Sequence, residues 1–126
     1  MKKIGLVFCF ILFFSVSFQV NAQWFWQNPL PTGNGLTSVE QVNNDILISV
    51  GLTGTILKST DGGNNWFVIY NQCNDHLYDV GFFNSLIGLA VGTNGTILKT
   101  ANSGNTWIRI PTGVNKTFKH IEIIND

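Results

Sequence analysis

The sequence has 126 residues, with seven basic and seven acidic side chains, two histidines and two cysteines. That length allows one small domain. A formal net charge of zero excludes the basic footprint of a nucleic-acid-binding protein, and 11% charged residues imply no charge-driven partner.

Met1-Lys2-Lys3 is a short positive region, and the apolar run from Ile4 to Phe18 is broken only by Gly5, Ser15 and Ser17. Val20-Asn21-Ala22 then offers small or aliphatic residues for cleavage before Gln23, so residues 1–22 read as a secretory signal peptide. A transmembrane anchor needs about 20 apolar residues, and Ser15, Ser17, Gln19 and Asn21 shorten the run below that. Cys9 lacks the small residue that precedes a lipidated cysteine. The mature protein is expected to be secreted, periplasmic or at the cell surface. Of the seven basic residues, Lys2 and Lys3 leave with the signal, and five remain against seven acidic ones. Cys73 is then the single cysteine and forms no intrachain disulfide. It reads as a small, partly buried hydrophobe rather than a functional thiol.

Residues 23–126 are repetitive. Gly54-Thr55-Ile56-Leu57-Lys58 recurs as Gly95-Thr96-Ile97-Leu98-Lys99, 41 positions later. The same offset pairs Leu36 with Leu77, Val39 with Val80, Asn43 with Asn84, Val50-Gly51 with Val91-Gly92, and Trp66 with Trp107. It continues into Phe118, Ile121 and Ile124, and backwards it aligns Phe25-Trp26 with Trp66-Phe67. Two repeats, about 36–70 and 77–111, are therefore flanked by the outer strand of a preceding unit at Gln23–Asn28 and the start of a third at 118–126.

Strands are expected in the second unit at Tyr78–Phe83, Gly88–Gly92, Thr96–Ala101 and Thr106–Pro111, with the first unit parallel to it. Ile, Val, Thr and aromatic residues dominate these runs, and Gly, Asn and Asp punctuate them. No apolar helical periodicity persists for the ten or so residues a helix needs. A repeat in the forties with four short strands is the pattern of a β-propeller blade. The expected fold is all-β: four-stranded antiparallel blades forming an incomplete propeller of two blades plus flanking strands.

Between the third and fourth strands lies Ser59-Thr60-Asp61-Gly62-Gly63-Asn64-Asn65-Trp66, repeated as Thr100-Ala101-Asn102-Ser103-Gly104-Asn105-Thr106-Trp107. Both match the Asp-box pattern, with Asn65 for Thr in the first copy and Asn102 for Asp in the second. Ser59, Asp61, Gly63 and Trp66, with Thr100, Asn102, Gly104 and Trp107, read as a structural brace. The Asx side chain accepts turn N–H groups, the glycine supplies positive φ, and the indole covers the bend. The turn lacks the spaced oxygen ligands of a calcium loop. No metal or other cofactor is expected.

Leu-x-x-Val, Gly88-Leu89-Ala90-Val91-Gly92, Gly-Thr-Ile-Leu-Lys, the Asp-box and its closing Trp together resemble the photosystem II assembly/stability factor-like β-propeller repeat. That family is related to the bacterial neuraminidase, or Asp-box, repeat. The resemblance covers essentially all of the mature chain and implies a secreted bacterial member. A closed propeller takes about four to eight blades, so an N-terminal fragment is expected, the alternatives being a two-blade chain that oligomerises into a ring and a relic. The resemblance further implies a scaffold or binding role with a protein or glycan ligand, and further blades or self-association to close the ring.

An enzymatic site finds little to build on. A sialidase needs several guanidinium groups around its substrate carboxylate, and the mature sequence holds only Arg109. A glycosidase needs two opposed carboxylates, and none of Glu40, Asp45, Asp61, Asp75, Asp79, Glu122 and Asp126 is singled out as a pair. His76 and His120 are isolated, with no zinc or triad spacing. Asp75 and His76, in the loop before an innermost strand, and Tyr78 beside them, are the ligand-site candidates. The expectation is a non-enzymatic exported propeller scaffold; the alternative is the N-terminal part of a secreted Asp-box glycoside hydrolase of sialidase or xyloglucanase type.

Overall fold

The computed structural model describes residues 31–70 and 73–124. The expected signal peptide, the expected strand at Gln23–Asn28, and Asn125 and Asp126 lie outside those residues.

Eight strands form two four-stranded antiparallel sheets. The first blade holds β1 (Leu36–Gln41), β2 (Leu47–Gly51), β3 (Ile56–Ser59) and β4 (Phe67–Tyr70), paired in chain order. The second repeats it with β5 (Leu77–Phe82), β6 (Gly88–Gly92), β7 (Ile97–Thr100) and β8 (Ile108–Ile110). The expected fold class is what the chain adopts. The two outer strands of the second blade are shorter than the sequence suggests. Thr96 closes the preceding turn through its N–H to the Thr93 carbonyl, and Trp107 turns its indole back onto the Asp-box bend.

The β2–β3 and β6–β7 hairpins turn through Thr53-Gly54 and Asn94-Gly95, with φ of 52° and 67°, and 54° and 68°. Two successive positive φ values give the turn whose twist matches that of the flanking strands, and Asn-Gly is its preferred sequence. Thr53 holds the same conformation with a β-branched side chain, which is strained. At the opposite end, Asn43 and Asn84 cap the β1–β2 and β5–β6 loops: Asn43 Oδ1 accepts the N–H groups of Asp45 and Ile46, and Asn84 Oδ1 those of Leu86 and Ile87.

Facing residues in an antiparallel pair share one side of the sheet, so the register assigns the faces. Val50 pairs with Ile56 and Ile48 with Lys58, and this side of blade one meets blade two. On blade two, Val80 pairs with Ala90 and Ala90 with Leu98, and these turn back towards blade one. Ile48, Val50, Ile56, Leu77, Ala90 and Leu98 have no exposed surface. With Val80 and Trp107 they make a single core, which lies between the blades. Phe82 meets the Trp107 ring edge-on, centroids 6.1 Å apart.

Residues 112–124, which include most of the expected start of a third blade, form no strand. A strand needs a ladder partner, and here the segment faces the side of a sheet instead. It is nonetheless docked on blade two. Gly95 N–H donates to the Lys116 carbonyl at 2.6 Å, and Phe118 N–H to the Gly92 carbonyl at 2.9 Å. A Cβ on Gly81 would stand 3.2 Å from Ile121 Cγ2 and 3.3 Å from Ile123 Cδ1, so the glycine lets both isoleucines approach the sheet.

Candidate functional site: a polar row along the innermost strands

Ser38, Asp79 and His120 stand 41 positions apart, at one place in three successive repeats. The strand register shifts just before each of the first two, between Leu36 and Ser38 and between Leu77 and Asp79. Such a bulge re-aims the side chains around it. Ser38 Oγ donates to Asp79 Oδ1 at 2.8 Å. Asp79 Oδ2 accepts the backbone N–H of Ile121 at 2.8 Å and lies 2.8 Å from His120 Nδ1. The Val80 N–H adds a bond of 2.9 Å to Oδ1. One carboxylate thus ties three repeats together.

Burial alone pushes the Asp79 carboxyl up, but the donors from Ile121, Ser38 and Val80, with the His120 ring, outweigh it and hold it below the ordinary aspartate value. Glu40, on the same edge of the molecule, is pushed the other way by burial and by the Asp79 charge. The chemistry that this arrangement performs is capture of a backbone N–H from an extended segment. With three donors and the His120 ring on its two oxygens, Asp79 is poorly placed to act as a nucleophile or base.

Asp75 and His76 lie just before β5, beside the β6–β7 turn of blade two. Asp75 Oδ1 accepts from Asn94 Nδ2 at 2.6 Å, and Oδ2 from Thr96 Oγ1 at 2.8 Å and Arg109 Nη1 at 2.9 Å. Hydrogen bonds from Asn94 and Thr96, followed by Arg109, hold its carboxyl low against the opposing effect of burial. His76 Nδ1 accepts the Thr53 N–H of blade one at 3.1 Å, and its backbone N–H donates to Thr93 Oγ1 at 3.0 Å. Its Nδ1 is therefore part of the inter-blade join, while its main chain is tied to the β6–β7 turn of its own blade. Tyr78 is the extra residue of the β5 bulge and is half-buried. Burial raises the half-buried Cys73 thiol.

The Asp-box turns sit at the far side of the blades from Asp75. Asp61 Oδ1 accepts from Ser59 Oγ and the Asn65 N–H, both at 2.8 Å, and Asn102 Oδ1 accepts the Thr106 N–H at 2.9 Å. Ser59 Oγ and Thr100 Oγ1 receive the N–H groups of Gly63 and Gly104 at 2.8 and 3.0 Å. The indoles donate to the Gly63 and Gly104 carbonyls at 3.0 and 3.2 Å. Gly63 and Gly104 have φ of 93° and 76°. These side-chain bonds close each turn on itself.

The row through Asp79 does not stand out in the sequence, where His120 reads as isolated and Asp79 as one carboxylate among seven. The repeat offset carried the signal, because it sets 38, 79 and 120 in register. Among the described residues, no group of three His, Cys, Asp or Glu side chains is placed to hold a metal.

Two antiparallel blades packed side by side, with their first strands joined through a shared polar row, define an incomplete β-propeller. No family model and no curated protein matches the sequence. Among solved structures, the chain is similar to YCF48 bound to D1 peptide, with a TM-score of 0.59 and 25% identity over 65% of this chain. It is also similar to YCF48 from Cyanidioschyzon merolae, with a TM-score of 0.58 and 25% identity over 66% of this chain. The match spans 28% of the length of each of those chains.

Proposed function

We propose that this chain is an exported, non-enzymatic propeller module that binds an extended protein segment, in the manner implied by its resemblance to the photosystem II assembly factor-like repeat. Further blades or self-association complete its ring. The observation that carries the reading is the capture of residues 116–121: main-chain groups of an extended segment are held by Gly95 N–H, the Gly92 carbonyl and Asp79 Oδ2. These are contacts that any extended polypeptide can offer, since they recognise backbone. A YCF48 structure of similar fold carries a bound D1 peptide, which supports a protein segment as the ligand class.

An array of extended peptides probed with the purified mature chain tests this. Binding that weakens in Asp79→Asn supports the reading, and an array without binding contradicts it. Sialosides and plant glucans should stay intact in the same preparation. Hydrolysis abolished by removal of one carboxylate would overturn the non-enzymatic role in favour of an Asp-box glycoside hydrolase.

A further inference from the structure

Lys58 and Lys99 end the two copies of Gly-Thr-Ile-Leu-Lys and occupy the same face of their blades, opposite Ile48 and Leu89. Their surroundings differ. Lys58 is 5% exposed, and its Nζ donates to the Ser103 carbonyl at 2.8 Å and to Asn105 Oδ1 at 2.7 Å. Both acceptors belong to the Asp-box turn of blade two. An ammonium group withdrawn from water needs such acceptors. The turn seats closely, since a Cβ on Gly104 would lie 2.5 Å from Ile48 Cδ1.

Lys99 is exposed, and its Nζ has no hydrogen-bond or ion-pair partner among the described residues. It borders a groove of about 290 Å³ with Ala101, Asn102, Thr106 and Ile108. Ile108 is 67% exposed. The inner half of this same face is occupied, because Phe118, Ile121 and Ile123 dock beside β5 and β6. The chain therefore fills the place of a third blade's first strand and leaves the place of its outer strands and turn open.

We propose that this outer half-face is a docking site for the Asp-box hairpin of a further blade of the same repeat, with Lys99 reading its turn as Lys58 reads Ser103 and Asn105. The partner's chemistry is defined by the existing interface: a carbonyl one residue after the Asx, a carboxamide oxygen three after it, and a glycine between. Leu89, Val91 and Ile97 repeat Ile48, Val50 and Ile56 on the receiving side, so the site continues the apolar surface that already joins the two blades. The inference rests on the reading of the chain as part of a ring, but not on what that ring binds.

The test joins a copy of residues 84–111 behind Ile124, which stands at the place of Phe83 in the repeat, so that the copy takes the place of Asn125 and Asp126. Amine acylation read by mass spectrometry reports each lysine. Lys99 should fall to the reactivity of Lys58, and alanine at the copied Asn105 should restore much of its labelling. Because an appended segment can misfold, residues 84–111 are also added in trans as a synthetic peptide; undiminished Lys99 labelling in both formats overturns the proposal. In the unextended chain, Lys58→Met should lower the melting temperature and Lys99→Met should leave it unchanged. An equal loss in both would show Lys99 already engaged and would also overturn it. Peptide-array binding retained by Lys99→Met keeps this outcome separate from that of the proposed function.

Discussion

Ser38 and Asp79 occupy the same place in consecutive repeats and are hydrogen-bonded to each other at 2.8 Å across the blade boundary. A bond between equivalent positions has a structural consequence. Each blade presents this position to its successor, so the row extends with every blade added, and His120 takes the next place on Asp79.

Replacing Asp79 by alanine should therefore cost far more than replacing either neighbour. The N–H groups of Val80 and Ile121 and the Ser38 hydroxyl all lose their acceptor. We expect a loss of about 3 kcal/mol for Asp79→Ala and about 1 kcal/mol for Ser38→Ala, measured by urea unfolding. Amide exchange should rise over residues 116–124 in the first variant.

The Asp-box hydroxyl is a second test. Thr100 is 1% exposed, and its Oγ1 accepts the Gly104 N–H, which is buried, at 3.0 Å. Thr100→Val keeps the shape and removes the acceptor. Unfolding should show a loss of about 1–3 kcal/mol, the range for orphaning a buried donor.

Strain in the first hairpin turn predicts a gain. Thr53 has a φ of 52°, where the second turn has Asn94 at 54°. Thr53→Asn installs the residue that tolerates this conformation and keeps the Thr53 N–H bond to His76. Thermal unfolding should show stabilisation of about 1 kcal/mol. No change would mean that the β-branched residue is not strained there.

Acid should unfold the chain. Asp61, Asp75 and Asp79 all have carboxyls held below the ordinary value of 3.8. A folded-state value below the unfolded one gives stability that is fully present above the unfolded value and is lost as pH falls through the folded one. The melting temperature should therefore drop as pH goes below about 4, and Asp79→Asn should shallow that drop. Glu40 has the opposite sign, since burial and Asp79 raise its carboxyl. Glu40→Gln should raise the melting temperature at neutral pH, where its charge opposes folding.

The fold was legible because the repeat made each blade a second reading of the other. Gly88–Gly92 was found to the residue, as its apolar run is bounded by turns on both sides. The sequence suggests longer outer strands than form, because Thr96 and Trp107 are β-formers that the turns recruit. The polar row was harder to see. Ser, Asp and His share no chemical type, so the repeat looks broken at that position, although Asp79 meets both of its repeat equivalents. Lys58 and Lys99 are identical in sequence, and only packing separates a buried latch from an exposed amine.

The blades pack side by side through repeat-equivalent surfaces, and a double-mutant cycle on Lys58 and Asn105 tests that most directly. The pair meets at 2.7 Å with Lys58 withdrawn from solvent. Unfolding free energies of Lys58→Met, Asn105→Ala and the double variant should give a coupling of about 1–2 kcal/mol, as expected for groups in direct contact. Strictly additive losses would mean that the two side chains do not meet, and the side-by-side arrangement would fall with them.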